Sequence, residues 1–162
     1  MDLTHSETHR ALQAEIRAFA STHGHLSPGS GGGRRRPSQK ALDWQRLLLE
    51  RGYVARTIPR EYGGYGAHPD VLAAAIIGDE LSRAGLYAGI MNQGISMLVP
   101  TLLEIGTEGQ RRRWVEPTIR GEVIWCQGYS EPGAGSDLAA VSTRGIVQGG
   151  HFIINGQKIW TS

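Results

Sequence analysis

The 162-residue chain has a formal net charge of +2, with 40% hydrophobic and 20% charged residues. This composition is typical of a globular protein with one substantial core, and so small a charge gives no reason to expect nucleic-acid binding. We predict no membrane span, because no run approaches the roughly 18–20 apolar residues required, and no targeting segment at the N-terminus. The single cysteine, Cys126, excludes an internal disulfide, which fits a reducing compartment and leads us to expect a cytoplasmic protein.

The first predicted element is an amphipathic helix over residues 4–20. Thr4 and Glu7 have the spacing of a capping box. Leu12, Ile16 and Phe19 fall on one face, which predicts the side that packs on the core.

A glycine-rich connector is predicted over residues 21–38, where the apolar pattern stops. It contains three consecutive arginines, Arg34, Arg35 and Arg36. A phosphate or acidic partner would suit them, but the near-zero net charge and the lack of interleaved aromatic residues favour a solvated charge run.

Further helices are predicted up to residue 121. The second ends at Gly52. The third, roughly 70–84, is apolar on all sides, which predicts complete burial. Residues 86–105 are predicted to form another apolar helix, bent or split at Pro100.

The last predicted helix begins with a capping box of Thr107 and Gln110 and ends at Gly121. The apolar period then changes from that of a helix to that of a strand at Val123. We therefore predict a helical half, 1–121, followed by a β half, 122–162.

Two segments dominate the β half. The first is the small-residue loop 130–137, where Gly133 and Gly135 allow positive φ and a close approach of the backbone to a ligand. The second begins with Asn155-Gly156, which predicts a hairpin turn, so that residues 157–162 form the returning strand. Two strand ends that each carry an aromatic ring and a hydroxyl are expected to converge on one flat ligand.

These segments closely resemble the signature of the acyl-CoA dehydrogenase family. The matching runs are Ser130–Asp137 (SEPGAGSD) and Asn155–Ser162 (NGQKIWTS). Pro59–Gly64 (PREYGG) is similar to an earlier element of the family, although less specifically. The resemblance covers about residues 40–162 and does not extend to the glycine- and arginine-rich connector.

The resemblance implies an α+β fold. Residues 1–121 are expected to form the N-terminal all-α domain of the family, interrupted by the connector 21–38. Residues 122–162 are expected to form the first strands of the antiparallel middle β domain. Family members continue into a C-terminal helical bundle, so the sequence is expected to be truncated before that bundle.

The resemblance also implies FAD as cofactor. By matching position, Gln127, Tyr129 and Ser130 are expected to contact the flavin ring through backbone amides and the serine hydroxyl. Such donors stabilise the charge that the flavin gains on reduction. The remaining residues expected to contact the flavin are Gly135, Ser136, Trp160, Thr161 and Ser162. Ser136 is also expected to contact the acyl-CoA substrate.

The implied reaction is α,β-dehydrogenation of an acyl-CoA thioester, with hydride transfer to flavin N5. An electron-transfer flavoprotein is the expected acceptor, and a homo-oligomer is expected for the complete enzyme. The catalytic carboxylate of the family lies in the absent bundle, and neither Glu131 nor Asp137 matches it, so no catalytic residue is assigned. Two alternatives stay open: a truncated, non-catalytic relative that binds at most a partner, and an acyl-CoA oxidase or nitroalkane oxidase.

Other candidate sites are weaker. His5 and His9 have i, i+4 spacing, but without a third ligand nearby they are interpreted as an exposed helix face and not as a metal site. Cys126 is predicted to be a small buried strand residue and not a nucleophile. The run after Gly133 lacks the third glycine of a G-x-G-x-x-G dinucleotide motif.

Overall fold

The computed structural model describes residues 6–29 and 36–161. The chain divides into two compact units on either side of the Ile124–Trp125 bond, and each is described by itself. The first is helical and the second contains an antiparallel hairpin, which confirms the predicted α+β class.

The described part of the first unit contains five α-helices. They are α1 (Glu7–His23), α2 (Gln39–Glu50), α3 (Val71–Arg83), α4 (Val99–Ile105) and α5 (Glu108–Ile119). A π-helical turn, Gly94–Leu98, precedes α4, and short 3₁₀ turns lie at Gly24–Leu26 and Arg60–Tyr62. None of the helices in the described residues has the length and apolar character that crossing a bilayer demands.

The helix starts follow from side-chain caps. The predicted Thr107–Gln110 capping box at the start of α5 is confirmed, with both reciprocal hydrogen bonds present. The start of α1 differs from the prediction, because its cap is Ser6, whose side chain accepts the backbone N–H of His9. Thr4, the predicted cap, lies outside the described residues.

Helix α1 ends three residues later than predicted and occupies the beginning of the predicted connector 21–38. The ring of His23, in its last turn, stacks on Phe19 with centroids 5.0 Å apart, so packing continues to the end of the helix. Gly24 then adopts right-handed φ and begins the 3₁₀ turn. Residues 30–35, including Arg34 and Arg35, lie outside the described residues.

Two clusters of buried side chains form the core of the first unit. The first joins α1, α2 and α3 through Ile16, Phe19, Trp44, Leu48, Tyr53, Ile76, Ile77 and Leu81. The second joins the end of α2 to α4 and α5 through Leu49, Ile58, Tyr62, Val99, Leu102, Val115 and Ile119. Burial of these side chains is the main stabilising term of the helical unit.

Gln45 on α2 is the buried polar side chain that lies beside both clusters, with 1% of its surface exposed. Its Nε2 donates to the carbonyl of Ile119 at 2.6 Å, and its Oε1 accepts the backbone N–H of Ile90 at 2.8 Å. The one side chain therefore satisfies two backbone groups, the carbonyl at the end of α5 and an N–H of the irregular segment that contains Ile90.

The prediction that α3 is buried all round is wrong. Ile76, Ile77 and Leu81 are buried, but Val71 is 88% exposed and Leu72 is 42% exposed. Apart from Val71 and Leu72, the exposed positions of the helix are Ala74, Ala75 and Gly78, which lose little free energy when they remain in water, and the polar residues Asp79, Ser82 and Arg83.

The apolar segment 86–105 is only partly helical, contrary to the prediction. Residues 86–92 are irregular, and the helical part begins with the π-helical turn at Gly94. Pro100 lies in the first turn of α4, directly after the π-helical turn, so the helical segment changes from π to α geometry beside the residue at which a bend or split was predicted.

The hairpin of the second unit lies earlier in the chain than predicted. Strands β1 (Arg144–Gln148) and β2 (His151–Asn155) pair antiparallel, with Gln148 opposite His151. Gly149 and Gly150 connect them with φ of 58° and 78°, the two positive values that a tight hairpin turn of this hand requires. Neither the run 123–126 nor residues 157–161 form a strand.

Candidate functional site

The two segments that the sequence singled out are adjacent in the structure. The backbone N–H of Ile159 donates to the carbonyl of Ser130 at 2.8 Å. The ammonium of Lys158 donates to the carbonyl of Tyr129 at 2.9 Å. The loop that carries Tyr129 and Ser130 thus lies beside the segment that carries Trp160, although neither is a strand end.

The carboxylate of Glu131 lies at this junction and is buried, with 4% of the residue exposed. Oε2 accepts the backbone N–H and the hydroxyl of Ser142 at 2.7 and 2.8 Å. Oε1 accepts the backbone N–H of Thr143 at 3.0 Å and the ammonium of Lys158 at 2.9 Å. Hydrogen bonds from Thr143, Ser142 and Lys158 favour the ionised form and hold the pKa of Glu131 well below its usual range.

Two aromatic rings of the site face solvent. Tyr129 is 69% exposed and Trp160 is 84% exposed. Trp160 also has φ of +55°, a left-handed conformation that is unusual for a bulky residue. Such a conformation persists only where neighbouring contacts enforce it, and it occurs preferentially at functional sites.

The glycine-rich turn is closed by a short backbone pair between Glu131 and Ala134, whose N–H···O distances are 2.7 and 3.1 Å. Gly135 and Ser136 follow it and are exposed. Neither Gly133 nor Gly135 adopts positive φ, so the conformational reason predicted for them is wrong. Apart from the adjacent residues of the chain, no heavy atom lies within 4 Å of the position that a Cβ would take at either glycine, so the backbone there is open to approach.

The remaining predicted residues lie close by in sequence. Gln127 is half-buried and Thr161 is exposed, whereas Ser162 lies outside the described residues. Cys126 is exposed, contrary to its prediction as a buried strand residue, because the segment before the loop does not pair into a sheet. The assignment of these residues to a ligand stays a prediction.

The ion pair between Glu131 and Lys158, and the structural role of Glu131 in it, were not predicted from the sequence. Each of these opposite charges lies within a residue or two of a predicted ligand residue, Glu131 beside Ser130 and Lys158 before Trp160. That pattern of complementary charges in two motifs was the available signal. This signal was missed because Glu131 was considered only as a possible catalytic base.

His9 is engaged in the first unit, between two helix N-termini. Its Nδ1 lies 2.9 Å from the hydroxyl of Ser6, and its Nε2 lies 2.9 Å from the carboxylate of Asp70. Ser6 and Asp70 are the N-caps of α1 and α3, so the side chain of His9 links the caps of the two helices. Within the described ranges no three His, Cys, Asp or Glu side chains group as metal ligands, and His5 lies outside those ranges.

Comparison with known proteins agrees with this architecture. Residues 6–122 match the model of the acyl-CoA dehydrogenase N-terminal domain. The acyl-CoA dehydrogenase IpdE1 of Mycobacterium tuberculosis is 42% identical over 120 residues, which cover 74% of this chain and 30% of that protein. The chain belongs to the acyl-CoA dehydrogenase family.

Solved structures show the same likeness. A Tcur3481-Tcur3483 steroid acyl-CoA dehydrogenase is similar over 100% of this chain and 41% of its own, with TM-score 0.67 and 31% identity. The ChsE4-ChsE5 complex of Mycobacterium tuberculosis is similar over the same shares, with TM-score 0.67 and 30% identity. The chain therefore spans about a third of the curated relative and two fifths of these solved chains.

Proposed function

We propose that the chain forms the N-terminal helical domain and part of the flavin-binding surface of an FAD-dependent acyl-CoA dehydrogenase. The observation that carries the proposal is the junction at which Ile159 bonds to Ser130. Through it, the Tyr129-Ser130 loop and the segment before Trp160 share one surface. Membership of the family supplies the expected cofactor.

The residues present fit an isoalloxazine ring. Such a ring is flat and apolar on its faces but carries hydrogen-bonding atoms along its edges. The exposed indole of Trp160 offers a flat apolar surface, and the Ser130 hydroxyl and nearby backbone amides offer donors. The open backbone at Gly135 suits a phosphate or a chain that must approach closely.

Each of these residues has a role in the proposal. The hydroxyl of Ser130, with the backbone amides of Gln127 and Tyr129, would donate to the flavin edge where negative charge develops on reduction. Trp160 would cover the edge of the ring and exclude water, and Thr161 and Ser162 would supply hydroxyls to it. When bound, FAD supplies the acceptor for the β hydride of the thioester. Ser136 is proposed to contact the acyl-CoA as well as the cofactor.

No residue of the chain is proposed as the catalytic base. Glu131 is fully engaged, because four hydrogen bonds from protein donors surround its two oxygens. A general base needs a free lone pair within reach of the substrate proton. We therefore propose that turnover requires a carboxylate from outside these 162 residues.

The relatives suggest the substrate class and assembly. The Tcur3481-Tcur3483 structure is a steroid acyl-CoA dehydrogenase, and the ChsE4-ChsE5 structure is a complex. We propose a CoA thioester with a bulky acyl group as substrate, a second acyl-CoA dehydrogenase chain as partner, and an electron-transfer flavoprotein as acceptor.

The test is a titration of the protein with FAD, in which binding is monitored through the flavin fluorescence. We expect saturable binding, which Ser130→Ala weakens by up to about tenfold, the loss typical of one hydrogen bond to the neutral oxidised flavin. Ser82→Ala, an exposed serine on α3, is the matched control and should bind as the parent does. Absence of saturable binding, or equal binding by Ser130→Ala, would reject the proposal.

A second assay tests the catalytic part. Steroid acyl-CoA and an electron-accepting dye are added to the FAD-loaded chain, alone and together with a second acyl-CoA dehydrogenase chain. We expect no dye reduction by the chain alone. Turnover by the 162 residues without a partner would show that the catalytic carboxylate lies within them.

A further inference from the structure

The buried Glu131 carboxylate joins three separate stretches of the second unit. Its donors are Ser142 and Thr143, which lead into β1, and Lys158, which follows β2. Glu131 itself belongs to the loop that carries Ser130. One carboxylate therefore fixes the positions of the loop and of both ends of the hairpin.

Lys158 extends this connection to the backbone of the proposed flavin loop. Its ammonium lies 2.9 Å from Glu131 Oε1 and 2.9 Å from the carbonyl oxygen of Tyr129. Because a carbonyl and the next N–H belong to one rigid peptide plane, holding the Tyr129 carbonyl also orients the amide of Ser130. The neighbouring hydrogen bond from the Ile159 N–H to the Ser130 carbonyl joins the same two segments beside this contact.

Close packing at the far end of the hairpin leaves little freedom for adjustment. A Cβ added at Gly156 would overlap the side chain of Thr143, so the chain after β2 passes directly over the residue that donates to Glu131. The ion pair is also partly shielded from water, since Glu131 and Lys158 side chains are 3% and 27% exposed. Shielding strengthens such a contact relative to a surface pair.

We propose that Glu131 and Lys158 are positioning residues, which set the spacing between Ser130 and Trp160 so that both meet one flavin ring. Neither side chain touches the cofactor or the reacting atoms. The inference rests on the proposed function, because it concerns the same surface. The ion pair, and not the glycine-rich turn, thus determines the spacing between Ser130 and Trp160 on this surface.

The test measures FAD affinity and the visible spectrum of bound flavin in Glu131→Gln, Lys158→Met and Lys158→Arg. We expect Glu131→Gln and Lys158→Met to weaken FAD binding by about tenfold or more, because the surface would no longer be held in its binding geometry before FAD arrives. At saturating FAD, the flavin bands should also shift relative to the parent protein. Lys158→Arg retains the charge and should restore most of the affinity.

A double variant and a matched control separate positioning from general damage. Glu131→Gln combined with Lys158→Met should cost little more than either change alone, because both remove the same ion pair. Asp137→Asn, an exposed carboxylate of the same loop, should bind FAD as the parent does. If Glu131→Gln does not fold, Lys158→Met carries the test, since it leaves the Ser142 and Thr143 donors to Glu131 in place.

The outcomes distinguish this inference from the proposed function. If the parent protein does not bind FAD, both are overturned. If the parent binds FAD and Lys158→Met binds it equally well with an unchanged spectrum, only the positioning role is overturned. Weakened binding with a shifted spectrum, rescued by Lys158→Arg, supports it.

Discussion

Replacement of Glu80 by glutamine tests how α1 is held to α3. Glu80 is 5% exposed and accepts hydrogen bonds from Arg17 Nε and Nη2 at 2.8 and 2.9 Å, and from Gln13 Nε2 at 2.7 Å. These contacts, Arg17 foremost, lower the pKa of Glu80 to about 2. The ionised carboxylate is therefore more stable in the folded protein than in the unfolded chain.

The size of the effect follows from that pKa. A fall of roughly 2.5 units from the ordinary value corresponds to about 3 kcal/mol at about 1.36 kcal/mol per unit. The Arg17 side chain is 58% exposed, so solvent screening reduces the expected loss in Glu80→Gln to about 2 kcal/mol at pH 7. Because the folded pKa is depressed, this stability is complete above about pH 4.5 and is lost as the pH falls toward 2.

The assay is urea unfolding followed by helical circular dichroism at pH 7 and at pH 3. Glu80→Gln should lower the free energy of unfolding by about 2 kcal/mol at pH 7 and by roughly 40% of that at pH 3. Asp43→Asn, which breaks an exposed pair with Arg46, should cost less than about 0.5 kcal/mol. An equal loss at both pH values would refute the electrostatic explanation.

Three further predictions concern the helical unit, each measured by urea unfolding. Gln45→Leu should cost about 2–4 kcal/mol, because it leaves two buried backbone groups without partners; a loss below about 1 kcal/mol would contradict this. Gly64→Ala should cost about 3 kcal/mol, since its Cβ would overlap the Ile58 carbonyl, whereas Gly78→Ala, with open space and a helical backbone, should stabilise by about 0.5–1 kcal/mol. The reverse order would disprove the packing argument. Thr107→Ala should cost about 1 kcal/mol through loss of the cap, and an unchanged stability would mean that the cap contributes nothing.

Local signals predicted the helical unit well, because its helices depend on nearby residues. The Thr107–Gln110 box and the buried face of α1 needed only residues three or four positions apart. A correct prediction of how much of α3 is buried requires knowledge of what packs on each of its sides. A run of apolar residues does not show whether a face of the helix is covered.

The hairpin was predicted at the wrong place because the chain contains two dipeptides that suit a tight turn, Gly149-Gly150 and Asn155-Gly156. Asn155-Gly156 has the commoner turn sequence, yet Gly149-Gly150 supplies two positive φ values and places β1 and β2 in register. The choice depends on pairing between residues that are distant along the chain, and single-segment propensities do not contain it.

The meeting of the two motifs was predictable, but the groups that bring them together were not. The expectation that Ser130 and Trp160 share a surface came from the residues of the two motifs, and the family resemblance added flavin as the ligand. The buried Glu131–Lys158 pair depends on residues 27 positions apart, and no prediction was made for its partners Ser142 and Thr143.

The most direct test of the account is a crystal structure of the protein with FAD bound. We predict that the isoalloxazine ring lies between the Tyr129-Ser130 loop and Trp160, with the Ser130 hydroxyl within about 3 Å of a flavin edge atom and the Glu131–Lys158 pair intact beneath it. A flavin bound elsewhere, or one that contacts Glu131 directly, would contradict the account.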